Sequence, residues 1–444
     1  MILIKNVQII NEGSTKSGSL LIKNQQIEKI YTETEPETPA GTEKIIDGQG
    51  FWLMPGVIDM HVHFREPGLT HKGNTESETK AALAGGVSSF AEMPNTLPKT
   101  VGQADREVKN RIAEKNSYIN YSYYIGADES NSAFIASADN RKIPGVKVFM
   151  GASTGNMQIA GKALDAVYRQ NNLRVTAHCE DDEIISKNTE KYRKQFGESI
   201  PFKYHPKIRS TEACLKSSRE AVDLAKKYNN KLHIAHISTA EELELIDQNQ
   251  TIENKQITTE VCIHHLWFNE TDYDKKGAFI KWNPAIKSEK DRQALLKAVS
   301  DDVIDIIVTD HAPHTFEEKQ KAYTQAPSGA PMIQHSLQAA LELSKQGRFS
   351  KEKVVEKMCH HPARLFGIQN RGFIREGCFA DLTIVNPDTQ YTVDKNNILY
   401  KCGWSPMEGE TFSTRPVYVF VNGKLLYENG KFGTKGQGMA LEFN

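Results

Sequence analysis

The chain has 444 residues, of which 25% are charged, with a formal net charge of −1 and a pI of about 6.9. This balance offers no basic excess for nucleic acid or an acidic membrane surface, and no apolar run reaches membrane-spanning length. Six scattered cysteines without a CxxC pair argue against a disulfide scaffold and a zinc knuckle. The first ten residues alternate like a strand rather than a signal peptide, so we expect a soluble, cytoplasmic protein.

Both ends of the chain are rich in strand-like runs. Residues 1–52 contain ILIKNVQII, GSLLIKNQQIEKIY and EKIIDGQGFWL, and residues 366–444 contain ADLTIVNP and PVYVFVNGKLLYENGKF. Turn residues separate these runs. The pattern predicts one small β domain built from both termini, and two separate β appendages are the alternative.

Residues 53–365 alternate between strand and helix patterns. Eight apolar runs follow one another there, namely GVIDMHVH, GVSSFAEMP, YINYSYYIGAD, IPGVKVFMG, LRVTAHCE, KLHIAHIS, ITTEVCIHHL and VIDIIVTDH. Amphipathic spacers lie between them, which predicts an α/β fold with a (β/α)8 TIM-type barrel. The spacer at about 185–212 is longer than a usual connection, and we expect a lid or an irregular loop over a site there.

The apolar runs end in polar residues that are unusual in buried strands. In a barrel, the carboxyl ends of all strands meet at one mouth, where catalytic groups lie. The polar residues in question are Asp59, His61, His63, Asn95, Lys147, His178, His236, His264, His265, Asp310, His311 and His314. We expect most of them to converge at this mouth, with His264 and His265 either supporting the seventh strand or lining the pocket and His311 facing away.

The first run carries two histidines that point to the same face of a strand. His61 and His63 are two positions apart and can bind one metal ion. A lone strand histidine is usually a polar core group, but His178, His236 and Asp310 provide further ligand atoms at other strand ends. Four imidazoles and a carboxylate exceed the three protein ligands of a catalytic zinc, which favours two metal ions.

Two neighbouring dications require an anion between them, and Lys147 is the only candidate in the fourth run. A lysine usually forms a salt bridge or lies at the surface, and this remains the alternative. Carbamylation by CO2 would convert the amine into a bridging carboxylate. Its position inside the apolar run GVKVFMG, at the ligand-bearing end, favours this role.

Three segments resemble signatures of the amidohydrolase superfamily, and within it of the dihydroorotases. They are PGVIDMHVHFREPG at 55–68, EMPNT at 92–96, and TDHAPH at 309–314 with Lys319 following. The similarity extends over nearly the whole chain, including the divided β domain. It implies a zinc-dependent cyclic amidohydrolase that reversibly closes N-carbamoyl-L-aspartate to (S)-dihydroorotate in de novo pyrimidine (UMP) biosynthesis.

The resemblance also implies which residues bind metal. The expected ligands of two Zn²⁺ ions are His61, His63, Lys147, His178, His236 and Asp310. Lys147 matches the carbamylated lysine of many members, and Asp310 is also the expected catalytic proton carrier. Some members use an aspartate after the fourth strand instead, but residues 151–155 read GASTG and contain no carboxylate.

Four further residues match positions that bind substrate in the family. They are Arg65, Asn95, Asn283 and His314. An arginine guanidinium can bind a carboxylate at two points, which suits a small anionic substrate. The segment WNPAIK departs from the more common family pattern, since Ala285 and Lys287 stand where many members have proline and arginine. The segment APSGAP at 326–331 resembles one whose backbone binds the ring.

Two other functions are compatible with parts of this pattern. A hydantoinase, dihydropyrimidinase or allantoinase would use the same metals on another ring, but most of those substrates lack the carboxylate that Arg65 and Asn95 are expected to bind. A non-catalytic partner of aspartate carbamoyltransferase would have lost metal ligands, whereas all six expected positions are filled here. The sequence leaves open whether the chain forms a homo-oligomer.

Overall fold

The computed structural model describes residues 1–32, 36–151, 157–170, 173–247 and 250–444. Residues 152–155, which belong to the GASTG segment compared above, lie outside the described residues. All six cysteines lie within them, and none forms a disulfide. Among the helices of these ranges, none is both long and apolar enough to cross a membrane.

The strands are numbered in chain order. They are β1 (Ile2–Asn11), β2 (Ser14–Lys23), β3 (Gln26–Tyr31), β4 (Lys44–Asp47), β5 (Trp52–Pro55), β6 (Val57–Val62), β7 (Val87–Glu92), β8 (Asn120–Tyr123), β9 (Ile125–Gly126), β10 (Val146–Phe149), β11 (Val175–His178), β12 (Leu232–Ile234), β13 (Ile257–Cys262), β14 (Ile306–Val308), β15 (Leu382–Asn386), β16 (Tyr391–Thr392), β17 (Thr411–Phe412), β18 (Arg415–Val421), β19 (Lys424–Glu428) and β20 (Lys431–Phe432).

The α-helices are numbered in the same way. They are α1 (Thr75–Ala84), α2 (Gln103–Asn116), α3 (Ser132–Ser137), α4 (Gly161–Arg169), α5 (Asp182–Phe196), α6 (His205–Ile208), α7 (Thr211–Tyr228), α8 (Ile263–Trp267), α9 (Tyr273–Lys276), α10 (Glu289–Ser300), α11 (Phe316–Lys319), α12 (Ser336–Lys345), α13 (Lys351–Val355) and α14 (His361–Phe366). A single π-helical turn, Glu356–His360, joins α13 to α14 among the described residues.

Strands β6 to β14 form a parallel barrel in the order of the sequence. The pairs β6–β7–β8 and β9–β10–β11–β12–β13–β14 are hydrogen-bonded, and β9 continues β8 after Tyr124. The last strand returns to the first, because the His63 amide donates to the His311 carbonyl at 2.7 Å and Val62 bridges His311 in parallel. The eight apolar runs of the sequence therefore form the eight strand positions of the barrel, with β8 and β9 together forming one of them. The predicted barrel is confirmed.

The amino end of the barrel is closed by the last residues of the chain. Leu441 and Phe443 pack with Phe366 and with residues that begin barrel strands, such as Ile58 and Ile306. Backbone hydrogen bonds hold this segment in place, including one of 2.9 Å from the Leu441 amide to Tyr121. The carboxyl end is left as the mouth at which ligands can enter.

The two ends of the chain share one antiparallel-rich sheet. Its order is β20–β19–β18–β15–β5–β1–β2–β3, with β4 paired to the free part of β1. Its core includes Ile4, Leu20, Leu53, Ile384 and Phe420. The predicted small β domain built from both termini is thus present. We retain as a proposal the division into a β domain of 1–52 with 366–444 and a barrel domain of 53–365. Strand β5 crosses the first of these boundaries.

The prediction of an irregular loop at about 185–212 is wrong. Helix α5 occupies 182–196, α6 occupies 205–208, and α7 begins at Thr211. Asp181 caps α5 by accepting a hydrogen bond from the Ile184 amide at 2.9 Å. Apolar residues on these helices pack into a small core with Tyr323, so the length of the spacer reflects helices and not an irregular loop.

Replacement of the Phe443 side chain by that of alanine should destabilise the barrel. Its side chain is 1% exposed, so we expect Phe443→Ala to lower the free energy of unfolding by about 3–5 kcal/mol. Chemical denaturation measures this change, with Phe316→Ala as the control because Phe316 is 41% exposed. A loss below about 1 kcal/mol for Phe443→Ala would contradict the role of the tail in closing the barrel.

Candidate metal centre and substrate cavity

The join between the first and last barrel strands brings three candidate ligands together. Asp310 Oδ1 lies 3.4 Å from His61 Nε2 and 3.1 Å from His63 Nε2. All three residues are buried, and one ligand atom from each lies within 4.8 Å of the others. Burial would raise the pKa of Asp310, but His61 and His63 outweigh it and hold that pKa below its usual value.

Both histidines are oriented by acceptors on their other ring nitrogen. His61 Nδ1 contacts Glu260 Oε1, and His63 Nδ1 lies 2.7 Å from Asn95 Oδ1. Because carboxylate and amide oxygens can only accept, each Nδ1 carries the hydrogen. Nε2 is therefore the ring nitrogen that faces Asp310 and that can offer a lone pair to a metal ion.

Asp59 lies on the same strand face as His61 and His63, but its hydrogen bonds connect the first and last strands of the barrel. Thr309 donates to it twice, from Oγ1 at 2.6 Å and from the amide at 3.3 Å, and the His61 amide donates at 3.1 Å. Burial raises the pKa of Asp59 to about 7. These bonds tie β6 to the end of β14, so Asp59 fixes the relative position of His61 and Asp310.

His178 and His236 form a second pair of candidate ligands. His178 Nδ1 lies 2.9 Å from His236 Nε2, and the His236 ring is 5.4 Å from that of His61. Zinc–nitrogen bonds of about 2.1 Å place two ligand nitrogens roughly 3.4 Å apart in a tetrahedral site. The pair is therefore close to the spacing that a shared ion would impose.

Lys147 is buried in the middle of β10. It is 0% exposed, and its Nζ has no hydrogen-bond partner among the described residues. Burial lowers its pKa. Its strand neighbour Phe149 is in register with His178, so Lys147 lies on the strand next to a candidate ligand. Lys147 Nζ lies 5.2 Å from the centre of the Phe149 ring, but a buried ammonium without a hydrogen-bond acceptor is costly, so a carboxylate formed on this amine would fit the site.

Glu260 on β13 is a site residue that the sequence analysis missed. It is 0% exposed, and besides His61 its Oε1 accepts from the His236 amide at 3.2 Å. Its Oε2 lies 3.1 Å from His233 Nε2. Glu260 therefore connects a residue of each candidate metal pair. The signal was present, since a charged residue inside a buried strand is the feature that singled out Lys147.

A cavity opens beside His63 and Asp310. Its lining residues are His63, Arg65, Asn95, Asn283, Asp310, Ala312, Ser328 and Gly329. Three of the four predicted substrate-binding residues are among them, and the fourth, His314, contacts Arg65. The Asn283 Oδ1 atom is buried without a partner among the described residues, which leaves an acceptor available to a ligand.

Arg65 lines this cavity and lies against His314. Lys72 Nζ donates to His314 Nδ1 at 3.0 Å, so the ring hydrogen is on Nε2, which lies 3.0 Å from the Ser328 carbonyl. Arg65 Nη2 lies 3.0 Å from the same Nε2. The Nε2 hydrogen of His314 therefore donates to Ser328, and the Arg65 Nη2 hydrogen beside it has no acceptor on His314, which leaves the guanidinium available to an anion in the cavity. The arrangement fits a carboxylate.

The remaining strand-end histidines have other contacts. His264 stacks on Trp282 with ring centroids 3.9 Å apart, and His265 Nε2 lies 3.2 Å from the Pro284 carbonyl. With Cys262 they form a second group of close ligand atoms. Neither is among the residues that line the cavity, in accord with support for the seventh strand. His311 Nε2 lies 2.9 Å from Glu78 Oε2, so His311 does face away.

Comparison with known proteins identifies the family. The model of the amidohydrolase family matches residues 52–426. The chain belongs to the amidohydrolase family. The resemblance expected from the three signature segments is thereby confirmed at the family level.

Its curated relatives within the amidohydrolases include proteins named dihydroorotase from several organisms. That of Pyrococcus furiosus is 32% identical over 97% of this chain and 95% of its own length. That of Staphylococcus epidermidis is 30% identical over 97% of this chain and 100% of its own length. That of Methanosarcina acetivorans is 28% identical over 99% and 95%. The sequence resemblance to dihydroorotases is therefore confirmed over almost the whole chain.

Solved amidohydrolase structures with the same fold include hydantoinases. The L-hydantoinase (dihydropyrimidinase) of Arthrobacter aurescens superposes with a TM-score of 0.93 at 25% identity, over 99% of both chains. The D-hydantoinase (dihydropyrimidinase) of a Thermus species gives 0.88 at 25% identity, over 99% of this chain and 98% of that one. The barrel with its additional β domain is thus an arrangement shared among cyclic amide hydrolases.

Removing the charge of Glu260 should weaken metal binding. We expect Glu260→Gln to lower Zn²⁺ affinity by about 10–100-fold, because the oriented His61 ring loses its anionic acceptor. Titration of the metal-free protein with Co²⁺, followed by absorption spectroscopy, measures this without an activity assay. Glu242→Gln is the matched control, since Glu242 is equally buried but accepts from Ser218, Ser238 and Thr239. Equal affinity of both variants would contradict the assignment.

Proposed function

We propose that this chain is a dihydroorotase, which reversibly closes N-carbamoyl-L-aspartate to (S)-dihydroorotate in pyrimidine biosynthesis. The observation that carries the proposal is the cavity in which the buried guanidinium of Arg65 lies beside the His61, His63 and Asp310 cluster. The dihydroorotase relatives support the same reaction. We further propose that it acts in the cytoplasm on this small anion, without nucleic-acid or membrane partners.

Two Zn²⁺ ions fit the candidate ligands. His61, His63 and Asp310 would hold one, and His178 and His236 the other. A carbamylated Lys147 would contribute to both, and the buried, unpartnered Nζ supports this assignment. When bound, such ions lower the pKa of a water molecule and polarise an amide carbonyl.

The chain's own residues would position the substrate by its carboxylate. Arg65 would supply charge-assisted donors to that carboxylate, His314 would hold the guanidinium in place, and Asn95 also lines the cavity. Asn283 Oδ1 can accept from a ring N–H. These contacts hold the ring amide near Asp310 and exclude water from that side of the ring.

Asp310 would carry the proton. In ring opening, the oxygen of water bonds to the amide carbon, the carbon–nitrogen bond breaks, and the proton taken by Asp310 passes to the leaving nitrogen. Ring closure is the reverse and releases water. As a carboxylate beside the His61 and His63 ring nitrogens, Asp310 has oxygen atoms that can accept this proton.

Hydantoinase activity is the second candidate, because the chain superposes on hydantoinases with TM-scores up to 0.93 among the structures compared. A neutral ring, however, would leave the buried guanidinium of Arg65 without an anionic partner, since Arg65 forms no ion pair within the described residues. The non-catalytic alternative, a partner of aspartate carbamoyltransferase, is disfavoured because all six candidate ligand positions are filled.

A direct assay distinguishes these functions. Hydrolysis of dihydroorotate is compared with that of hydantoin, dihydrouracil and allantoin, on protein whose metal content is counted by elemental analysis. We expect kcat/KM for dihydroorotate to exceed that for the neutral rings by at least about 100-fold, because a site built for a polar group rejects analogues that lack it. Preference for a neutral ring would overturn the proposal.

Replacement of Asp310 by alanine should abolish turnover of dihydroorotate. The variant loses the proton carrier while four histidines remain, so at least one metal ion should stay bound. Steady-state kinetics and elemental analysis measure both effects. Near-normal activity in the Asp310→Ala protein would refute the role of Asp310.

A further inference from the structure

One wall of the cavity is a loop whose carbonyl groups are held by two buried lysines. Ser328 and Gly329 of this loop line the cavity. Lys319 Nζ donates to the carbonyls of Pro327 and Gly329, both at 2.8 Å. Lys281 Nζ donates to those of Tyr323 and Ala326, at 2.8 and 2.6 Å.

The two lysines are linked to each other as well as to the loop. The Lys281 carbonyl accepts from the Gly329 amide at 2.8 Å and is 3.5 Å from Lys319 Nζ. Lys319 is 1% exposed and Lys281 is 7% exposed. The position of Ser328 and Gly329 at the cavity therefore depends on Lys319 and Lys281.

The contacts of Lys319 Nζ favour the charged ammonium form of this side chain. Three carbonyl oxygens surround its Nζ, and only an ammonium has three hydrogens to donate. Burial lowers its pKa well below the ordinary value, with Lys281 and Arg65 adding to this. An anion in the cavity opposes that shift, since a nearby opposite charge favours the charged form.

An ammonium at Lys319 is not neutralised by contact with a carboxylate among the described residues. Neither Lys319 nor Lys281 forms an ion pair in the described part of the chain, and the same holds for Arg65. Lys72 differs, because it pairs with Glu318 at 2.9 Å. Carbonyl dipoles stabilise a buried ammonium without cancelling its charge at a distance, so Lys319 contributes to the potential inside the cavity.

We propose that Lys319 is a specificity-determining residue, which positions the Ser328–Gly329 wall and makes the cavity select an anionic ring over a neutral one. The proposal rests on the proposed function and extends it. Lys319 does not touch the reacting atoms; it acts through the loop and through its charge. If Lys319 only held the loop in place, its replacement would weaken the binding of charged and neutral ligands to the same extent.

The test compares dihydroorotate with its uncharged methyl ester, which differs only at the carboxylate. Binding of both is measured as KM, or as the inhibition constant of the ester where it is not turned over. Lys319→Gln keeps N–H donors for Pro327 and Gly329 but removes the charge, and Lys319→Met removes both. Lys357→Met is the matched control, because Lys357 is equally buried but pairs with Asp302 at 2.9 Å outside the cavity.

We expect both Lys319 variants to reduce the preference for the acid over the ester by about tenfold, the effect of one charge roughly 10 Å away at an effective dielectric constant near 20. In Lys319→Gln the effect should fall on KM with kcat largely retained, and in Lys357→Met the preference should be unchanged. A preference within about twofold of the unaltered protein in both Lys319 variants would overturn the proposal, including where both ligands weaken equally. If the unaltered protein does not act on dihydroorotate, the proposed function fails, and this inference with it.

Discussion

The structure of the site depends on the join between the first and last strands of the barrel. Asp59 accepts from Thr309, and the His63 amide donates to the His311 carbonyl. These bonds bring together residues that are about 250 positions apart in the chain, as the separation of 250 between Asp59 and Thr309 shows. Without this closure His61 and His63 would have no carboxylate opposite them, and the cavity beside Asp310 would lose a wall.

The backbone of the site is strained at the residues that the proposed function uses most. The backbone φ angles of Arg65, His236 and Asp310 are 70°, 39° and 46°. These values lie in the left-handed region, which residues other than glycine rarely adopt. Such conformations cost of the order of 1–3 kcal/mol each and persist where the surroundings enforce them. At His236 one enforcing contact is visible, because Glu260 accepts from its amide. The buried network around Glu260 thus fixes both side-chain and backbone geometry.

Much of the fold could be predicted from the sequence because parallel barrel strands, buried on both faces, appear as continuous apolar runs. Polar residues at their ends, such as His61 and Asp310, then point to one mouth. The position of β14 next to β6 follows from the barrel itself. These features depend on short-range patterns and one topological rule, so a single sequence is sufficient.

Other features could not be predicted because they depend on partners distant in the chain. Lys281 resembles an ordinary surface lysine in the sequence, and Lys319 follows the third signature segment without a pattern that shows its contacts. Only their hydrogen bonds to the 323–329 loop show how both lysines are held. Glu260 was overlooked although its buried strand gave a signal. The length of the 185–212 segment alone does not distinguish an irregular loop from helices, whereas the Asp181 cap is a local signal for the start of α5.

The central claim is that strand-end side chains from across the barrel hold two metal ions bridged by a modified lysine. Anomalous diffraction at the zinc edge, on crystals of active protein, tests this claim most directly. The account predicts two peaks, one within about 2.2 Å of His61, His63 and Asp310 ligand atoms and one near those of His178 and His236. Electron density for a carboxylate on Lys147 Nζ should reach both. Active protein without bound metal, or with an unmodified Lys147 between the ions, would contradict it.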